Sequence, residues 1–498
     1  MCRFHAPQKR PRRVQPARHL KDTARENGLL ESSHSHDGRI WLEPRRKWIA
    51  SIVVFLLALA ASRPAPAYSV FTHEELIDLT WADSIRPLLL QRYPGLTEPQ
   101  LREARANAYG GCVIQDLGYY PFGNQLFSDL LHYVRTGDFI RSLFRNAKNA
   151  NETAFAIGAL SHYYGDTIGH PEAINLAVGK EFPQLAAKYG PNVNYSEGPH
   201  QHVRSEFAFD VDDIVKQRMP PEGYLNHAGF EVPMQLLSKA FYETYGLRLS
   251  DFLGKHRPTM RGYSYSVRTL LPRVAYAETL LYRKRMPPDV TTPQLAELKQ
   301  QVAALSAAEH WSRYRSHAGF GTHILAGVIF IIPKFGALSD LKLRTPTNTA
   351  EQDYVKSLLQ SADVLRETLA GAASSGKIPN KDLDTGDMVY PGTYPLEDYA
   401  YADLLHRMTR NPASSIPFGI KRDLQAYFSN LGKVKYLQEE KSAKRLAQVQ
   451  ADLPVLQTIP TNSLEADGPL LADEAAQQLP EAGLAPKSPA PPASAAKP

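Results

Sequence analysis

The sequence predicts an all-α protein, and three observations carry that prediction. Between residues 68 and 245 no sustained alternation of apolar and polar side chains argues for a sheet. Leu76, Ile77, Leu79, Trp81 and Ile85 fall on the spacing of an amphipathic helix. The run Ala154, Phe155, Ala156, Ile157, Gly158, Ala159, Leu160 is apolar all round, as a buried helix is.

Each element can be justified in order. Thr72-His73-Glu74-Glu75 opens the first helix, with Thr72 and Glu75 matching a capping box. A second helix near 98–109 breaks at Gly110-Gly111, and Asp116 follows. Tyr119-Tyr120-Pro121-Phe122-Gly123 reads as a loop, and Phe127 to Val134 brings in His132. Helix 151–165 comes next; Gly169 and Pro171 end or bend it around His170. After a loop at Pro191-Asn192-Val193-Asn194, another helix bears His202 and Glu206.

Beyond about 245 the segments 266–284, 293–315, 351–372 and 434–450 read as helices. Ile324 to Ile332 is the most apolar run after residue 67. It is too short to span a bilayer and reads as a buried core helix, with contact to a lipid surface as the alternative. From about 451 Ala, Pro, Glu and Gln dominate, the composition of a disordered tail.

With 498 residues the chain is long enough for two or three domains. Its 57 basic and 51 acidic side chains nearly balance, and many of the basic ones precede residue 48, so nothing demands a nucleic-acid partner. Arg45-Arg46-Lys47 followed by the apolar stretch Trp48 to Ala60 and by Ala65-Pro66-Ala67 reads as an export signal cleaved after Ala67. The product is then periplasmic or secreted and begins at Tyr68. Residues 1–44 are polar, basic and excluded from the fold. Of the two cysteines, Cys2 precedes the cleavage point, which leaves Cys112 alone, with no intramolecular disulfide and no catalytic-cysteine signature.

The chemistry lies in a set of imidazoles and carboxylates: His73, Asp116, His132, His162-x3-Asp166-x3-His170 and His202-x3-Glu206. A step of four residues stacks two side chains on one helix face, so His162 and Asp166 can reach one ion, as can His202 and Glu206. His162 with Asp166 alone suits a core histidine beside an ion-paired aspartate equally well. The second pair close by favours metal. Nitrogen and carboxylate donors without cysteine suit a hydrolytic zinc site.

At Tyr68-Ser-Val-Phe-Thr-His73, Gly110-Gly-Cys-Val-Ile-Gln-Asp116, Phe127-Ser-Asp-Leu-Leu-His132, His162-Tyr-Tyr-Gly-Asp166 and His202-Val-Arg-Ser-Glu206 the chain resembles the zinc-dependent phospholipase C family. More distantly it resembles the fungal zinc nucleases that cut single strands. The resemblance covers roughly 68–215 and implies an all-helical catalytic domain, taken as 68–245; pattern and composition add a mostly helical extension over 246–450 and the tail 451–498. It implies up to three zinc ions. One would be held by Asp116, His132, His162 and Asp166. A second would share Asp166 and take His73 with the α-amine and carbonyl of Tyr68. A third would be held by His170, His202 and Glu206. Tyr68 stands where the family has tryptophan, the step from Asp166 to His170 is two residues shorter than in the family, and His200 is an alternative to His202. Asp116 would orient or deprotonate a zinc-bound hydroxide.

Three functions follow as expectations. The first is a secreted phospholipase C that acts at a phospholipid or membrane surface and releases diacylglycerol and a phosphorylated head group. The second is a single-strand nuclease, disfavoured because no dense Lys/Arg cluster accompanies Tyr119, Tyr120, Phe122, Tyr163 and Tyr164. Those aromatics could box a choline-like cation, or simply pack in the core or its loops. The third is a zinc-binding protein without turnover, for which a missing ligand would be expected. No protein partner is evident.

Overall fold

The computed structural model describes residues 70–120, 123–254, 256–289, 291–315, 319–331, 342–371, 378–410 and 412–462. Tyr68, the export signal with its cleavage point at Ala67, the segment 1–44, Phe122 and the tail beyond 462 lie outside the described residues. The helices that build and support the site are α1 (Val70–Thr80), α2 (Glu98–Cys112), α3 (Gln125–Tyr133), α4 (Thr136–Asn146), α5 (Ala150–Gly169) and α6 (Pro199–Val215). Later in the chain come α7 (Leu271–Tyr282), α8 (Phe320–Ile331), α9 (Asn348–Ala370), α10 (Pro395–Arg410) and α11 (Ala443–Thr458). Among the described residues the only sheet is the parallel pair β1 (Ile416–Pro417) and β2 (Thr461–Asn462). The protein is all-α.

Helix α5 is the axis of the ligand-bearing region. Asn149 starts it by accepting from the Glu152 backbone N–H at 2.9 Å, which satisfies one of the free donors of the first turn. Ala154 to Leu160 are buried all round, because α1, α2, α4 and α9 pack against α5. Gly110-Gly111 does not break α2, which continues to Cys112. The glycine is there for packing. A Cβ at Gly111 would stand 2.1 Å from the Phe155 carbonyl oxygen, and one at Gly158 would stand 2.1 Å from that of Ala108. The two backbones touch where they cross.

At its C-terminal end α5 widens into a π turn, His170–Ile174. Pro171 has no N–H to give the Thr167 carbonyl, and its ring opens the helix. Gly386 approaches that carbonyl so closely that a Cβ would stand 2.4 Å from the oxygen, and its φ of +73° suits glycine.

Three further expectations are corrected. Thr72 is not an N-cap, because α1 runs from Val70. Asp210 of α6 caps α1 instead, taking the Phe71 and Thr72 N–H groups at 3.3 and 3.2 Å and the Thr72 hydroxyl at 2.9 Å. The helix expected over 434–450 begins only at Ala443. It runs on to Thr458 and carries the chain past residue 451, because Val449 and Leu456 bury one face of it. Helix α8 packs Ala326 and Ile329 on α7 and leaves Phe330 and Ile331 exposed, so only one face of that apolar run is core. No helix among the described residues is long and apolar enough to cross a membrane.

One hydrophobic cluster contains Leu76, Phe155 and Leu160 together with Leu358, Leu405, Leu424 and Ile459. The ligand-bearing helices and the C-terminal helices therefore share a core.

Candidate metal centre

Five pieces of chain deliver the eight described ligand candidates. Helix α1 brings His73, and the 3-10 turn Gln115–Tyr119 that follows α2 brings Asp116. Helix α3 brings His132, while α5 with its π turn brings His162, Asp166 and His170. Helix α6 brings His202 and Glu206. All eight are buried.

Three groups form, each with donor atoms within 4.8 Å of one another: His73, His162 and Asp166; Asp116, His132 and His162; and His170, His202 and Glu206. Asp166 ties them together. Its carboxylate lies 3.3 Å from His73 Nε2, 3.0 Å from His162 Nε2, 3.6 Å from His132 Nε2 and 4.0 Å from His170 Nε2. Asp116 Oδ1 lies 3.3 Å from His132 Nε2 and 4.0 Å from His162 Nε2, and His202 Nδ1 lies 3.5 Å from Glu206 Oε1. The ring of His162 stacks on His73 at 4.0 Å and meets His132 edge-on, and His170 stacks on His202. His200 is only half-buried and belongs to none of the three groups.

Backbone carbonyls aim the rings. His132 Nδ1 faces the Ser128 carbonyl at 2.8 Å, His162 Nδ1 that of Cys112 at 2.9 Å, and His202 Nε2 that of Val193 at 2.7 Å. A carbonyl can only accept, so the proton sits on the facing nitrogen and the other nitrogen turns a lone pair inward. The Cys112 carbonyl is free for this because it lies in the last turn of α2.

The inward atoms are His132 Nε2, His162 Nε2, His202 Nδ1, Asp116 Oδ1 and both oxygens of Asp166. None has a hydrogen-bond partner among the described residues. Lone pairs facing carboxylates at these distances repel unless positive charge lies among them. Protons are one source. Burial alone would lower the His132 pKa, but Asp116 and Asp166 outweigh it and raise it to about 9. Burial opposes the proton on His162 too, yet Asp166 and Asp116 raise its pKa. His73 moves down through burial and the neighbouring His162, and His202 falls to about 3 through burial and His170. Burial would raise the Asp166 pKa, but His162 and His73 hold it well below the usual carboxylate range. A divalent cation supplies the same balancing charge without protonating any ligand. The donors fit zinc: imidazole nitrogen and carboxylate oxygen, no thiolate, and rings already oriented from behind.

Four of the aromatics named from the sequence lie among the described residues, and each has its own partner. Tyr119 gives its hydroxyl to Asp129 at 3.0 Å and Tyr163 to the Pro379 carbonyl at 2.8 Å, while Tyr164 pairs with Thr368 on α9 at 2.9 Å. These three are tied into the packing. Tyr120 lies against Tyr263.

The segment 378–394 reaches the centre without having been foreseen. Its backbone bonds to the His132 residue itself, Leu383 N to His132 O at 3.1 Å, and Tyr133 and Tyr394 both donate to Asp384 Oδ2, at 2.9 and 2.7 Å. The only trace in the sequence is the pair Asp382-x-Asp384 in a turn-rich stretch. No helical spacing links that pair to the histidines.

Residues 72–251 match the family described as zinc dependent phospholipase C. No curated protein and no solved structure matches the chain. The matched residues contain all eight donors described above. The match of this segment supports a zinc-dependent phosphoric diester hydrolase of the phospholipase C type.

Proposed function

We propose that the protein is an exported phospholipase C that cleaves a glycerophospholipid into diacylglycerol and a phosphorylated head group. The observation that carries this reading is the convergence of three buried donor groups on the shared Asp166, inside the segment that matches the family. Asp116, His132, His162 and Asp166 would hold one zinc. His73 and Asp166, with the α-amine and carbonyl of Tyr68, would hold a second, and His170, His202 and Glu206 would hold a third. Bound zinc supplies Lewis acidity toward phosphoryl oxygens and lowers the pKa of a water to about 7.

The chain does the rest. Carbonyls behind His132, His162 and His202 fix the rings so that no reorganisation is needed when charge develops. Asp116 orients the attacking water and takes its proton at the carboxylate. Burial of all the donors keeps the local dielectric low, which strengthens each of these interactions.

The test uses zinc-loaded protein beginning at Tyr68, offered phosphatidylcholine vesicles or single-stranded DNA. Diacylglycerol and phosphocholine are the expected products. Cleavage of DNA without cleavage of lipid would replace the reading with a nuclease. His162→Ala removes a donor common to two groups, so zinc content should drop and turnover should fall by at least about a hundredfold, more than loss of an outer partner costs. Retained turnover contradicts the ligand assignment.

A further inference from the structure

We propose that Asp384, which lies outside the family-matched segment, is a positioning residue of the metal centre: its free carboxylate oxygen places negative charge between His132 and His170 and strengthens the hold on zinc. This rests on the ligand set proposed above.

Asp384 is fully buried, and the loop that carries it is bolted to the ligand-bearing elements at each step. Thr136 at the start of α4 exchanges hydrogen bonds with Lys381, its hydroxyl donating to the carbonyl at 2.7 Å and accepting the N–H at 3.0 Å. The Leu383 N–H bonds the carbonyl of His132. On the opposite side Asn175, the residue after the π turn begun by His170, donates from Nδ2 to the Asp384 carbonyl at 3.1 Å. Gly386 sits on the Thr167 carbonyl that Pro171 leaves open. The backbone of Asp384 is thus held between the residue that carries one ligand and the turn that carries another.

The side chain is fixed as firmly. Oδ2 accepts from Tyr133 and Tyr394, and Asp382 Oδ1 takes the N–H groups of Asp384 and Thr385, both at 2.8 Å. Oδ1 of Asp384, also buried, has no hydrogen-bond partner among the described residues. A buried carboxylate oxygen without a partner is costly in lost solvation unless something electropositive faces it. Burial does raise the carboxyl pKa, while His170 and His132 are the two imidazoles that pull it back down.

Charge makes the need specific. A zinc held by His170, His202 and Glu206 has two neutral ligands and one anion, which leaves a net buried positive charge. Asp384 belongs to none of the three donor groups, so it acts beside the ligands rather than as one of them. Two phenols hold one oxygen and leave the other unpaired, so the carboxylate is fixed in place with one oxygen free to act through its charge.

Asp384→Asn isolates the charge, because the amide oxygen still accepts both phenols while the amide nitrogen replaces the free oxygen. Zinc per chain and zinc retention against a competing chelator are measured on the full chain, with near-ultraviolet circular dichroism to report the fold. The expected result is a folded protein that gives up zinc about 10- to 100-fold more readily than the parent, with Asp384→Glu restoring part of the difference. An Asn variant that holds zinc like the parent, one that no longer folds, or equal losses in Asn and Glu would overturn the proposal. A parent protein that binds no zinc would instead sink the ligand set, so the two failures are distinct.

Discussion

Glu181 illustrates what burial does to a single carboxyl group. Ser205 donates to its Oε2 at 2.9 Å, its Oε1 has no hydrogen-bond partner among the described residues, and the side chain is buried. Burial raises its pKa to about 7, against the opposing pull of Ser205, Arg344, Arg204 and Lys180. The sign of the linkage follows directly. Below about 4.5 the group is protonated in both folded and unfolded chains, and its contribution is fully present. Between there and about 7 the unfolded chain ionises first, so stability falls; above 7 the whole cost is felt. Raising the pH from 5 to 8 should therefore cost roughly 1 to 3 kcal/mol from this group. Glu181→Gln should flatten that part of the curve in urea melts, and a parallel curve would refute the assignment. Asp212, raised by burial and Asp213 to about 7, adds a slope of the same sign. At this scale the sequence singled out the ligand candidates that the fold brings together, and said nothing about Glu181. A four-residue step between a histidine and an acid is local information. Burial of a carboxyl by distant helices is not.

Helices were legible wherever their period was local, and misread where a partner element decided the outcome. Gly110-Gly111 carries the signal of a break, yet α5 lies so close to α2 that only hydrogen fits, and the helix continues. Thr72 and Glu75 have the spacing of a cap, but the true cap is the Asp210 carboxylate, 138 residues away. The crossing has a testable consequence. In Gly158→Ala the new methyl would press on the Ala108 carbonyl, which is backbone and cannot rotate away. Overpacking of this kind costs about 1 to 3 kcal/mol, and a clash with backbone belongs at the upper end. Because His162 lies one turn beyond Gly158 and takes its orientation from Cys112 on α2, zinc affinity should fall along with the melting temperature. A variant with parental stability and parental zinc content would show that the contact is slack.

Over the whole molecule, the chain after residue 251 completes the core that positions the metal donors. The ligand pattern ends near 206, and spacing alone carries no record of which distant helix covers which face, so the sequence suggests a separate extension over 246–450. In the fold, α9 lies on α1 and α5 and buries Tyr354, Val355, Leu358, Leu359, Ala362, Leu365 and Leu369. Tyr354 donates to Asp213 of α6 at 2.7 Å, and its hydroxyl lies 2.9 Å from that of Thr72, the neighbour of His73. Burying one large apolar side chain is worth about 1.5 to 3 kcal/mol, whereas a domain's net stability is only about 5 to 15 kcal/mol. Removing the apolar side chains of α9, together with those of α10 that contact α3, therefore exceeds what the remaining helices can absorb. A chain running from Tyr68 to Gly254 should lack a cooperative thermal transition and hold fewer zinc ions than the full protein, even though it keeps every proposed ligand. Calorimetry and metal analysis decide the matter. A sharp transition with full zinc content would mean that the ligand-bearing helices pack without α9, and that the shared core adds rigidity rather than the fold itself.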